Sequence, residues 1–463
     1  VTAIRNRREH LEALLVPRGQ AHVLRFWDEL DDAQRAALAQ EIESIDFELL
    51  ERCVRGKDDD GGGEAALESV DPAAPRGKGS PTEEASAIRG GEDLLRTGGV
   101  ACVTVAGGQA SRLGLDGPKG AFGVGPVSGA TLFQILAEKI LAAQRTYGAP
   151  LPWWIMTSEG NDAETRDFFA RHQHFGLDPS DVRFFAQRMI PAVDPHGKLM
   201  LASKFQLFRN PNGHGGVLSG LAENGALAEM ARRRIEQVLT CQVDNALVDF
   251  VDPLFLGRHV ALAADASCKV VTKRDAGEKV GVIGLRGGKY GCIEYSDLPA
   301  SLREARDDEG RLRFRAGNIA VHAFRRDFLE RVGGGDLALP YHRAKKKLTV
   351  LDEEGRAHER EGIKFETFVF DALPRAHRVL VQEVLRDEEF APVKNREGDD
   401  SPATARAAIL AQGRRWLENA GVAVPADAEV EISPLWASRS ADAAIRVKRG
   451  FVPPAGRRWY LRA

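Results

Sequence analysis

The stretch that decides the fold is Val100-Ala-Cys-Val-Thr-Val-Ala106-Gly-Gly-Gln-Ala-Ser-Arg-Leu-Gly-Leu-Asp-Gly-Pro-Lys-Gly120. Its first part is a short, continuous apolar run of the buried-strand type. A segment near 131–145 follows, with Leu132, Ile135, Leu136 and Ile140 on one helical face. A strand, a glycine turn and a helix make one unit of an open α/β sheet, where ligands bind beyond the carboxyl ends of the strands. Gly107 and Gly108 allow close backbone approach and present bare N–H groups to anionic oxygens. Arg112 offers a planar fork suited to phosphate, and Lys119 adds a point charge. A Walker A loop is excluded, because Lys119 lies between Pro118 and Gly120. The Gly-x-Gly-x-x-Gly dinucleotide fingerprint is also missing. A plain glycine-rich turn with solvated cations is the bland alternative, and the strand, double glycine, arginine and Pro-Lys-Gly together outweigh it.

Outward from this loop, residues 18–52 read as helical, with Leu38, Ile42, Ile45 and Leu49 on one stripe and Asp32 as N-cap. Arg55 to Gly91, rich in glycine, proline and acids, reads as a flexible linker. Downstream, Trp153–Met156, Val182–Phe185 and Val238–Val243 are strand-like. A helix is expected over 162–173, with an Asn161/Glu164 capping box and Gly176 as its stop. The alternation implies βαβ units and a mostly parallel sheet. Cys268–Lys273, Val280–Leu285, Tyr290–Tyr295 and Leu312–Phe314, divided by turns such as Gly287-Gly288, read as antiparallel ribbon. Residues 402–420 read as helix, and the tail from Gly421 as a small β-rich region. The expected division is a helical part over 1–56, a linker over 57–91, a catalytic domain over 92–395 and a C-terminal region over 396–463.

Over 463 residues, 43% are apolar and 28% charged, which fits a globular chain of more than one core. The formal net charge of −3 supplies no global basic field for nucleic acid. Cys53, Cys102, Cys241, Cys268 and Cys292 are scattered and never paired as Cys-x-x-Cys, so neither a disulfide framework nor a zinc site is expected. The histidines show no metal-ligand spacing. No apolar run reaches membrane-span length and residues 1–10 lack a secretory apolar stretch, so a cytoplasmic chain with no membrane partner is expected.

With its neighbours, the loop resembles that of the type I UDP-sugar pyrophosphorylases, most closely the UDP-N-acetylhexosamine enzymes, which read Leu-Ala-Gly-Gly-Gln-Gly-Thr-Arg-Leu-Gly…Pro-Lys-Gly. Further matches run in order. They are Ile155-Met-Thr-Ser158, Phe184-Phe…Gln187…Met189-Ile-Pro191, Val243-Asp-Asn245, Val280-Gly-Val282, Glu294-Tyr-Ser296, Ala316-Gly-Asn-Ile-Ala320, Phe368-Val-Phe-Asp371, Glu383-Val-Leu-Arg386 and Pro392-Val-Lys-Asn395. The resemblance implies an α/β fold: a Rossmann-like nucleotidyltransferase of glycosyltransferase-A type, a mixed sheet with a helical N-terminal part and a small β-rich C-terminal domain. It implies a transferase that makes UDP-sugar and pyrophosphate from UTP and a sugar 1-phosphate with Mg²⁺, with N-acetylglucosamine 1-phosphate favoured. Such phosphoryl chemistry needs positioning and charge neutralisation more than covalent help.

Roles follow from the resemblance. Ala106, Gly107, Gly108 and Gln109 would hold the nucleotide, and Arg112 and Lys119 the triphosphate. Gln187, Gly213 and His214 would read uracil, and Asp244 would hold Mg²⁺, a hard cation that takes oxygen donors. Gly281, Glu294 and Asn318 would grip the sugar, Lys394 its phosphate, and Lys364 is a further phosphate candidate. The sequence departs from the pattern in three places: Ala110-Ser111 replaces Gly-Thr, His214 replaces asparagine, and Val321 replaces another asparagine. Alanine at 110 resists positive φ. Gly213-His-Gly215 is closer to the UDP-glucose and broad-specificity enzymes, so glucose and galactose 1-phosphate stay open as sugars. A guanylyl- or adenylyltransferase and a non-catalytic nucleotide-sugar binder are the competing classes. The binder should lack the metal acid or the phosphate cations, yet Asp244, Arg112, Lys119 and Lys394 are all present.

Overall fold

Ten strands form one mixed sheet in the computed structural model, which describes residues 2–56, 66–335 and 338–462. In chain order they are β1 (Leu67–Ser69), β2 (Val100–Val105), β3 (Trp153–Thr157), β4 (Val182–Ala186), β5 (Gln237–Gln242), β6 (Ala266–Thr272), β7 (Val282–Arg286), β8 (Lys289–Ile293), β9 (Ala316–Arg325) and β10 (Val379–Glu383). The order across the sheet is β1-β7-β9-β5-β2-β3-β4, with β8 on β7, and β6 pairing with β9 and β10. β5, β2, β3 and β4 are parallel neighbours, as the alternation of strands and helices requires. β9 runs antiparallel to β5, and β7 and β8 form the antiparallel ribbon read from their glycine-divided runs. β2 and β3 are buried almost throughout, so both faces of the sheet are covered there. On the helix Leu132–Tyr147, Leu132, Leu136 and Ile140 enter that core together with Phe133.

Contacts divide the chain into two compact units. One comprises Val1–Glu64, Gln187–Gly216 and Leu339–Phe368; the other, which holds the whole sheet, comprises Ala65–Ala186, Val217–Ala338 and Val369–Ala463. In the first unit, helices Thr2–Leu15, Asp32–Glu43 and Phe47–Arg55 share a core with Ile190, Leu199, Ile363 and Phe365. Here the continuous helix expected over 18–52 is corrected to short 3-10 turns up to Glu29 and two helices broken at Ser44–Asp46. The N-cap is Asp31 rather than Asp32: its Oδ1 accepts from Gln34 N at 2.8 Å, and the Gln34 side chain accepts from Asp31 N. In the second unit the tail pairs Glu429–Ile432 with Arg458–Leu461 in parallel, around a helix at Ser440–Lys448.

The linker expected over 57–91 is corrected in its later part, while residues 57–65 lie outside the described residues. Leu67–Ser69 is β1, paired to β7, and Pro81–Arg96 is a helix with Ser80 as N-cap and proline in its first turn. Gly91 is a contact residue: a Cβ there would lie 2.0 Å from the Pro253 carbonyl oxygen. A Cβ at Gly257, on the facing helix Pro253–Ala261, would lie 1.7 Å from the Ala87 carbonyl oxygen. Two helices cross here backbone to backbone, which only glycine permits. The run Leu312–Phe314 is not a strand: Leu312 is buried and forms an isolated bridge with Arg306, and Phe314 packs with Val282, Ile293 and Leu298. No helix among the described residues is long and apolar enough to cross a membrane.

The helix crossing gives a paired expectation. Gly91→Ala should destabilise the protein by about 1–3 kcal/mol through overpacking against backbone. Gly90→Ala, where an added Cβ meets nothing, should leave stability unchanged or raise it. Urea unfolding of the two variants checks this; equal midpoints would show that the helices do not cross so closely.

Candidate active site

β2 ends at Val105, and the Ala106 N–H still donates to Met156 of β3 (2.8 Å). The loop then leaves the sheet and returns, closed by Ala110 N to Gly117 O (2.9 Å) and Lys119 N to Gly108 O (3.1 Å). A 3-10 turn at Ser111–Leu113 places Arg112 exposed, and Gly114 takes the left-handed conformation that ends it (φ 79°). Ala110 has φ −93°, so alanine is accommodated without strain. Among the described residues, the N–H groups of Gly107, Gly108 and Gln109 meet no acceptor. Gly108 is not left-handed, and a Cβ there would meet only Lys119 Cδ at 4.0 Å. Neither backbone angle nor packing requires glycine at 108.

The sheet brings the predicted acid to this loop. β2 and β5 are parallel neighbours, so Ala106 and Asp244 both lie just past carboxyl ends. Val243 N donates to Val105 O (3.1 Å), and Lys119 Nζ donates to Asp244 Oδ2 at 2.8 Å. This pair is largely withdrawn from water, with side chains 18% and 11% exposed. Asp244 O accepts from Val393 N (2.9 Å), and the Asn245 side chain accepts from Ala391 N and donates to Glu389 O. Lys394 is the next residue, half-exposed, its Nζ 4.0 Å from Asp400 Oδ2. The loop, Lys119, Asp244 and Lys394 therefore form one connected group.

A second group in this unit follows from strand register. Val282 of β7 faces Ile293 of β8 and Gly317 of β9. Stepping one residue back sets Gly281 between Glu294 and Asn318. Asn318 N donates to Gly281 O at 2.9 Å, and a Cβ on Gly281 would lie 3.4 Å from Glu294 Oε1. Asn318 Nδ2 donates to Cys292 Sγ at 3.8 Å, and its Oδ1 accepts from Ala320 N.

The remaining predicted residues belong to the other unit. Met189 pairs with Pro211 and Asn212 N donates to Arg188 O, a register that puts buried Gln187 opposite Gly213. Gly213 is left-handed (φ 81°), and a Cβ on it would lie 2.4 Å from Thr367 O. Gly215 N donates to the same oxygen, so the turn wraps around Thr367-Phe368. The His214 ring lies 5.3 Å from Phe368, which also meets His342 at 4.8 Å. Lys364, half-buried, stands over the Phe208 ring at 5.4 Å.

Sequence reasoning overlooked two features. The spacing makes Asn161 a capping-box residue, but its side chain makes no cap bond; it binds the loop after β2 instead. Asp249, Asp252 and Glu389 approach one another closely enough to hold a metal ion. The Lys269 ammonium already sits among them, 2.9 Å from Asp252 Oδ2, 2.6 Å from Glu389 Oε2 and 3.1 Å from the Asp249 carbonyl. Scattered acids and one lysine in a strand carry no local pattern that would mark such a cluster. A cavity of about 280 Å³ beside it, bounded by Lys139, Leu247, Trp416 and Arg439, is lined by none of the predicted site residues.

Comparison with known proteins follows the same lines. Residues 85–432 match the family described as UTP–glucose-1-phosphate uridylyltransferase. The chain is 40% identical over 426 residues to UDP-N-acetylhexosamine pyrophosphorylase-like protein 1 of Xenopus tropicalis, covering 87% of this chain and 83% of that one. It is 37% identical over 446 residues to UDP-N-acetylglucosamine diphosphorylase 2 of Arabidopsis thaliana, covering 90% and 87%. The crystal structure of the uridine diphosphate N-acetylglucosamine pyrophosphorylase of Trypanosoma brucei superposes with a TM-score of 0.84 at 26% identity, covering 99% and 98%.

His214 yields a pH expectation. Desolvation pushes its imidazole down to about 4. The unfolded chain takes up this proton near the ordinary value of about 6.5. As pH falls from about 6.5 towards about 4, the unfolded state binds more protons and stability is lost. The loss of melting temperature between pH 7 and pH 5 should therefore be smaller in His214→Asn than in the parent. Equal losses would mean that the ring is as well solvated folded as unfolded.

Proposed function

The chain belongs to the UTP–glucose-1-phosphate uridylyltransferase family, and from that membership we propose that it joins UTP to a sugar 1-phosphate, with N-acetylglucosamine 1-phosphate as the sugar. The observation that carries this reading is the loop with three open N–H groups beside the Lys119–Asp244 pair, at the carboxyl ends of adjacent parallel strands. A phosphate oxygen of the sugar 1-phosphate attacks the α-phosphorus of UTP in line. The bond from that phosphorus to the bridging oxygen of the β-phosphate breaks, and pyrophosphate leaves with the electron pair. Charge neutralisation and alignment supply most of the acceleration in such transfers.

In this proposal Gly107, Gly108 and Gln109 offer N–H groups to the triphosphate, Arg112 closes on it from the loop tip, and Lys119 turns its charge towards the departing pyrophosphate. Lys394 holds the sugar phosphate, with Lys364 as a further phosphate contact. Gln187, Gly213 and His214 face the uracil, supported by the register that sets Gln187 opposite Gly213. Gly281, Glu294 and Asn318 take the sugar hydroxyls and amide. The donor set fits Mg²⁺: Asp244 is a hard oxygen ligand at a strand end, and Mg²⁺ is held by one or two carboxylates together with substrate phosphates. When bound it would supply positive charge to the triphosphate oxygens. A cytoplasmic setting belongs to the same proposal.

His214 favours a second reading of the sugar, glucose 1-phosphate or a broad range, since the N-acetylhexosamine enzymes carry asparagine there. Pyrophosphate release with UTP and Mg²⁺ across N-acetylglucosamine, glucose and galactose 1-phosphates separates the readings. The N-acetylglucosamine substrate should react fastest, and no release with any sugar would end the uridylyltransferase reading. Arg112→Ala should lower kcat by about 100-fold or more while melting like the parent; Asp244→Ala should lower kcat as much and also melt at a lower temperature, since it strips the largely buried Lys119 of its partner. Full activity in either removes the role given to that residue.

A further inference from the structure

We propose that Asn161 is the positioning residue that shapes the phosphate loop, turning its peptide N–H groups towards the anion. The proposal rests on the uridylyltransferase reading only for the identity of that anion as the triphosphate of UTP.

Asn161 is 1% exposed and lies 55 residues from Ala106 in the chain. Its Oδ1 accepts from Ser158 N (2.8 Å) and Ser158 Oγ (3.1 Å), which fixes the face of the amide. Nδ2 is then directed at the loop, donating to Ala106 O at 3.0 Å and Gly108 O at 3.3 Å. In a planar trans peptide the carbonyl and the following N–H point in opposite directions. Anchoring the Ala106 and Gly108 carbonyls inward therefore sends the Gly107 and Gln109 N–H groups outward. Lys119 N on Gly108 O reinforces the second anchor, and Gln109 Nε2 on Gly160 O (3.0 Å) ties the loop to the same turn. Outward-facing peptide N–H groups close together form an anion-binding concavity. The helix Asp162–Arg171 begins without a side-chain cap. Asparagine is among the best N-caps, so its side chain forgoes that stabilisation to hold the loop.

Calorimetry with inorganic tripolyphosphate and steady-state kinetics with UTP and sugar 1-phosphate test this on the full chain. Asn161→Ala should weaken tripolyphosphate binding and raise KM for UTP by about 10- to 100-fold, as loss of alignment does. KM for the sugar 1-phosphate should hardly change. Ser158→Ala, which loosens the amide while leaving it in place, should shift the same two quantities in the same direction by less. It decides the matter if Asn161→Ala fails to fold. Unaltered tripolyphosphate affinity, a parallel rise in both KM values, or a parent that does not bind tripolyphosphate overturns the proposal. A parent that binds tripolyphosphate but releases no pyrophosphate from UTP with any sugar sinks the uridylyltransferase reading and leaves the role of Asn161 standing.

Discussion

The parallel pairing of β2 with β5 is the constraint on which the rest depends. Each strand is buried, so every peptide group between them must bond across the ladder, and a one-residue slip would turn each side chain to the other face. That register ends Val105 beside Gln242. Whatever follows the two strands then emerges side by side: a glycine loop from one, Asp244 from the other. Neither a loop helix nor a long-range salt bridge is needed to bring loop and acid together, because the sheet has already done so.

The Lys119–Asp244 pair solves a problem that this placement creates. Two charges largely withdrawn from water are costly unless paired, and each would be destabilising alone. Lys119 reaches Asp244 because its backbone is anchored to Gly108, within the same loop. The cation thus belongs at once to the phosphate loop and to the acid. The buried cluster around Lys269 works differently: its lysine is fully enclosed by carboxylates and carbonyls, has nothing left to offer a ligand, and fastens the segment at Glu389 that runs on to Lys394.

How much of this was legible in the sequence depended on whether a feature is local. The β2 strand, the helix Leu132–Tyr147 and the glycine ribbon are each written in consecutive residues, and they appear as read. Gly90-Gly91 and Gly107-Gly108 look alike on the page, yet the first pair was assigned to a linker. What distinguishes them is what passes nearby: for Gly91 it is the backbone of Pro253, more than 150 positions away. Asn161 has the composition and position of an N-cap, and only the three-dimensional neighbourhood of Ala106 shows that its amide is used elsewhere. Leu312 and Phe314 have the residue types of a strand, but both are buried without a ladder, Phe314 against Val282 of β7 and Ile293 of β8.

The group around Gly281 shows why a resemblance can point to residues that spacing alone would never select. Glu294 and Asn318 are separated by 13 and 37 positions from Gly281, with no shared period. Antiparallel register on both sides of β7 converts those separations into adjacency, with Gly281 as the member that has no side chain. A Cβ at 281 would lie 2.7 Å from Cys292 Sγ, so glycine here keeps Asn318, Cys292 and Glu294 close together. The Asn318 amide already donates to a sulfur, a weak acceptor, and its oxygen already serves Ala320. Its orientation is therefore set by the fold itself.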